Sequence, residues 1–112
     1  MKAFCAAFPI LPGRTEALRE FAKAVMSSRR REYSDALKRQ GMTTESWFLQ
    51  KTPKGDMIIA YFEADDVQKA FEIQAKSKGP FDVWFKLQVK SATGFDLEQP
   101  SSEPPPEEIC HI

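Results

Sequence analysis

Residues 43–63, TTESWFLQKTPKGDMIIAYFE, leave less conformational freedom than any other stretch of the chain. Two runs rich in β-branched and aromatic side chains flank Thr52-Pro53-Lys54-Gly55-Asp56, whose Pro and Gly suit a reversal. The spacing predicts an antiparallel hairpin, with strands over 43–51 and 57–63. A hairpin alone is marginal in water, so flanking segments must cover it.

Those segments have readable periods. Residues 2–8, KAFCAAF, read as a buried strand. Leu11-Pro12-Gly13 then turns the chain, and Thr15 suits an N-cap. Leu18, Phe21, Ala22, Val25 and Met26 follow at helical spacing, and neither Gly nor Pro intervenes before Gly41. This predicts one helix of about seven turns over 15–40. Downstream, Asp65 suits the cap of a second helix carrying Val67, Ala70, Phe71 and Gln74. Lys78-Gly79-Pro80 breaks it. A third helix carries Phe81, Trp84, Phe85, Gln88, Val89 and Ala92 and stops near Gly94. Residues 98–106 read as a Pro-rich extended connection, and 107–112, EEICHI, as a C-terminal strand.

The resulting order, βαββαβ, predicts one α+β domain over 1–112. It is a ferredoxin-like arrangement with an antiparallel four-stranded sheet. A chain of 112 residues buries about two-thirds of its unfolded surface, enough for one core. Trp47, Leu49, Ile59 and Tyr61 are expected on one sheet face, with Phe48, Ile58, Ala60 and Phe62 on the other. Both faces are too apolar for water. The simplest cover for the second is the same sheet from another copy, which predicts a homodimer.

Charge and composition exclude several classes. Sixteen basic residues balance sixteen acidic ones, so no net field favours nucleic acid or an anionic membrane. No apolar run is long enough for a membrane helix, and Pro9 and Pro12 interrupt the one stretch resembling a signal peptide, so a cytoplasmic protein is expected. Cys5 and Cys110 are far apart and expected as free thiols. No metal or cofactor motif is present, so neither is expected.

Candidate site residues come from phase. On a helix wheel Arg29 and Glu32 fall within about 40° of the stripe set by Leu18, Val25 and Ala36, with Tyr33 beside them. Arg30 and Arg31 fall on the flank and the outer face. If the hairpin pairs Lys51 with Met57, then Glu45, Trp47, Tyr61 and Glu63 share one face. Should that face look toward the helices, Arg29, Glu32, Glu45 and Tyr61 converge, and a ligand would sit between Trp47 and Trp84. The contrary expectation is that Arg29 snorkels from an overhanging helix and the aromatic rings are packing.

The stretches GMTTESWFLQ, YFEADDVQKAF and FDVWFKLQVKSATGFDL, followed by prolines and a short terminal strand, resemble a group of small uncharacterised bacterial proteins. These belong to the dimeric α+β barrel superfamily, in which two ferredoxin-like sheets pack face to face. The resemblance covers nearly the whole chain and implies the fold and the dimer. It implies no single reaction, because the superfamily spans monooxygenases, isomerases, haem-degrading enzymes and members without a known reaction. The chain departs from the haem-degrading pattern: its one histidine is His111, outside the helices.

Two expectations for function follow. The first is a protein that binds a small aromatic or acidic ligand between helix and sheet, as a cofactor-independent monooxygenase or isomerase. Glu45 or Glu32 would take a proton, Arg29 would hold the oxyanion, and Tyr33, Trp47, Tyr61 and Trp84 would bind the ligand. The second is a non-enzymatic dimerisation or stress-associated interaction module.

Overall fold

In a computed structural model of the chain, which describes residues 1–99 and 103–112, the hairpin forms as β2 (Met42–Thr52) and β3 (Gly55–Ala64). Thr52 pairs with Gly55 and Lys51 with Asp56, so Pro53 and Lys54 alone make the reversal. Gly55 has φ +126, a conformation open to glycine and strained for other residues. The Thr52 hydroxyl donates to the Gly55 carbonyl at 2.6 Å and accepts from the Lys54 N–H at 3.2 Å.

This register differs by one residue from the expected Lys51–Met57 pairing, and a slip of one moves alternate side chains across the sheet. Trp47 faces Ala60 and Glu45 faces Phe62. One face therefore carries Glu45, Trp47, Leu49, Ile58, Ala60 and Phe62. The other carries Ser46, Phe48, Ile59, Tyr61 and Glu63. The expected grouping of Tyr61 and Ile59 with Trp47 is corrected accordingly. A bulge lies between Met42 and Thr44 at the start of β2.

Strand β1 (Lys2–Pro9) pairs antiparallel with β3, giving the order β1-β3-β2. Among the described residues the sheet has three strands, not the expected four. Residues 107–112 have no strand structure and are exposed. Of the expected connection 98–106, residues 100–102 lie outside the described residues.

The expected continuous helix over 15–40 is two helices, α1 (Thr15–Met26) and α2 (Arg30–Arg39). At the break the Ser27 hydroxyl donates to the Lys23 carbonyl at 2.6 Å. The Arg29 N–H reaches the Ala24 carbonyl, five residues back, at 2.8 Å. One extra residue thus enters the hydrogen-bond ladder, a π-type irregularity promoted by local serine bonding. Helices α3 (Val67–Lys76) and α4 (Pro80–Thr93) follow. Asp66, not the expected Asp65, caps α3, its carboxylate accepting from the Lys69 N–H at 3.0 Å. Gly94, with φ +79, ends α4 where the sequence places the stop.

The helices pack on one sheet face. The larger core joins Leu18, Phe21, Val25, Ala36, Phe81 and Phe85 to Trp47, Leu49 and Ile58. A smaller one joins Met42, Phe62, Ala64 and Ala70 to Phe4 and Phe71. All of these strand residues belong to the helix-facing set, whereas Phe48 on the other face is 57% exposed. No helix among the described residues is long and apolar enough to cross a membrane.

Candidate functional site

Glu45 occupies a position that the hairpin register would ordinarily give to an apolar residue. It stands between the bulge and Trp47 on the helix side of β2, opposite Phe62. Its carboxyl group is enclosed although the edge strand leaves the residue as a whole half-buried. The Tyr33 hydroxyl, carried by α2, donates to Glu45 Oε1. Tyr33 is held in turn by stacking on Phe85 of α4, ring centroids 5.9 Å apart, and by an edge contact with Trp47. No Lys or Arg among the described residues forms an ion pair with Glu45.

Burial therefore dominates its chemistry. Taking the carboxylate out of water pushes its pKa above the usual range, and bonds from Tyr33 and Trp47 offset this only in part. The Tyr33 phenol is pushed up as well, first by burial and then by the neighbouring Glu45 charge. A small cavity of about 10 Å³ adjoins the pair, lined also by Gln40, Gln74, Phe81 and Asp82. It has room for about one water molecule.

An open groove of about 270 Å³ lies on the outer side of this cavity, bordered by Glu32, Asp35, Arg39, Ser77 and Pro80. Cavity and groove share Phe81 and Asp82. Phe81 and Asp82 thus form a layer common to the cavity that Glu45 lines and to a solvent-open hollow. Asp82, 4% exposed, is fixed in that layer by Arg39 at 2.7 Å and by the Ser77 hydroxyl. Lys86, equally buried, stands behind it and serves the fold. Its ammonium donates to the carbonyls of Ala75 and Ser77, where α3 ends, and pairs with Glu98 at 2.9 Å.

The remaining expected residues form two separate groups. Arg29 and Glu32 pair with each other through two contacts of 2.9 and 3.2 Å. The Arg29 guanidinium lies 4.1 Å from the Trp84 ring centroid and 5.1 Å from that of Phe81. This pair sits at the surface, with Glu32 about half exposed. The Arg29 bond holds the Glu32 carboxyl below the usual range, the opposite of what a proton acceptor near neutrality requires. Tyr61 is on the far face of the sheet, where its hydroxyl donates to Glu63 at 2.5 Å. The expected convergence of Arg29, Glu32, Glu45 and Tyr61 does not occur.

The slot expected between Trp47 and Trp84 is filled. Phe21 of α1 lies between them, with centroid distances of 5.2 and 5.3 Å. Of the seven expected site residues, Tyr33, Glu45 and Trp47 come together. Sequence reasoning missed Gln40, Gln74, Asp82 and Arg39. Asp82 follows Pro80 at the head of α4, where an acidic residue reads as ordinary helix-end electrostatics.

The chain belongs to a family of unknown function (DUF6176), which matches residues 1–95. No curated protein matches it in sequence.

Proposed function

We propose that the chain acts as a homodimer that binds a small acidic or aromatic ligand in the groove beside α2 and exchanges a proton with it through Glu45. One observation carries this reading: Glu45 is an enclosed carboxyl, without a cationic partner among the described residues, lining a cavity that shares Phe81 and Asp82 with an open groove. A carboxyl with a raised pKa suits general acid–base work near neutrality, and such groups concentrate at functional sites. The Tyr33 hydroxyl donates to Glu45 Oε1 and so does not occupy the other carboxyl oxygen. A shift of Phe81 and Asp82 would join cavity to groove and admit the reacting part of the ligand. The corresponding reaction is an isomerase-type proton transfer. Arg29 and Glu32 are left outside it, as a pair at the groove's rim.

Titration of the full chain with small aromatic and carboxylic acids, followed by NMR, tests the proposal. Tyr33, Glu45 and Trp47 should respond together with the groove residues, and Glu45→Gln should retain binding while losing solvent-independent proton exchange with the ligand. Responses restricted to Asp35 and Arg39 at the outer groove would remove Glu45 from the function.

The non-enzymatic interaction module has its own support. The space beside Glu45 holds about one water, and Phe21 fills the gap between the tryptophans. A chain that dimerises but binds none of these acids would favour that second reading.

A further inference from the structure

We propose that residues 107–112 add as a strand to the free edge of β1 in a second copy of the chain. The inference rests on the dimer proposed above and assigns an exchanged element to it.

The two edges of the sheet differ. Strand β2 is protected by features that discourage further pairing: Glu45 and Lys51 within it, the bulge at its start and Pro53 directly after it. Strand β1 has none of these between its ends. Ala3-Phe4-Cys5-Ala6-Ala7-Phe8 is an uncharged, regular run of N–H and C=O groups with β3 on one side only. Such an edge is a template for another strand.

The segment 107–112 has the complementary properties. Ile109 is 88% exposed and Ile112 fully exposed, a poor outcome for two β-branched side chains. Pro104, Pro105 and Pro106 supply no N–H for a ladder, so pairing can begin only at Glu107. The six residues from there fit within the eight of β1. Direction also fits. The Glu108 carboxylate is near enough to Tyr61 to act on its phenol, so the segment leaves over the face without helices. That face is the proposed contact with the second copy, so the segment lies where the partner's sheet would come, and Ile109 and Ile112 stand exposed and unpaired with their own β1.

The cysteines provide the test, because Cys5 lies on β1, Cys110 lies in the segment, and both are free and exposed. Cys5→Ser and Cys110→Ser chains are mixed, so that each carries one thiol, and treated with a short bismaleimide. Cross-linked pairs containing one chain of each kind are expected. A wild-type chain linked only to itself, with none in the mixture, overturns the exchange. Deleting 107–112, or replacing Ile109 and Ile112 together by Asp, should raise the dimer Kd at least about tenfold. Alternate β1 amides should then exchange at least about tenfold faster. If the full chain is a dimer and both values stay unchanged, the exchange is wrong and the sheet-face dimer stands. A monomeric full chain removes both.

Discussion

Glu45 and Glu32 start from the same side chain and titrate in opposite directions because of what surrounds them. Glu32 gains a guanidinium at the surface, whereas Glu45 loses water and gains neutral donors. The consequence for stability has a definite sign. A carboxyl whose folded pKa lies above the unfolded value of 4.5 binds more protons when folded. It therefore favours the fold at pH below 4.5, and that contribution disappears as pH rises through the raised folded value. Glu45→Gln, whose carbonyl still accepts from Tyr33, should remove this slope. Melting temperatures of the two proteins should diverge in favour of the variant as pH rises from acid to neutral, and parallel curves would show that folding does not raise the Glu45 pKa. Part of this site was legible in advance. Helical spacing placed Arg29 and Glu32 as a pair, and they are one, because i, i+3 proximity survives the change of helix direction. Their inward phase survived only in part, with Arg29 over the Trp84 and Phe81 rings and Glu32 turned toward solvent, because the ladder gains a residue at Ser27–Arg29 that no wheel counts.

At the scale of elements, the sequence located the three strands and the last two helices but merged α1 and α2 into one, and the joins decided where side chains point. Hydrophobic periods arise from burial and are visible in composition. A register is set by which residues of TPKGD adopt the turn, a choice that the alternation of apolar residues on both faces could not arbitrate. Gly55 makes that choice here. Its φ of +126 lies outside the range of ordinary residues, yet a Cβ there would meet nothing within 4 Å. Gly55→Ala should accordingly destabilise the protein by about 1–2 kcal/mol through backbone strain alone. Denaturant titration measures the cost. An unchanged midpoint would mean that the turn relaxes to another type, and with it that the Trp47–Ala60 register is not pinned by this glycine.

For the whole molecule, the open sheet face is the dominant physical fact. Ala3, Cys5 and Ala7 of β1 lie beside Ile59 and Tyr61 of β3, with Phe48 of β2 beyond them. Polar groups enter this face along β2 at Thr44, Ser46, Gln50 and Thr52 and at Glu63 of β3, so its apolar part is the area over β1 and β3 with Phe48, and the helices are all on the other side. An antiparallel sheet exposed to water on one side normally alternates polar outward; β2 does so apart from Phe48, β1 and β3 do not, and that apolar area is the ground of the proposed dimer. Phe48 separates this account from one based on folding alone. It is 57% exposed in the single chain, so Phe48→Glu should change the stability of that chain by no more than about 1 kcal/mol. In a face-to-face pair the same substitution places a carboxylate in an apolar contact and should weaken association at least about tenfold. Sedimentation velocity across a dilution series, paired with denaturation of the diluted monomer, reads both quantities. A substitution that lowers monomer stability and leaves association unchanged would place Phe48 in the fold rather than the interface. The sheet would then need another cover, and the segment 107–112 lying back on its own chain would be the nearest one available.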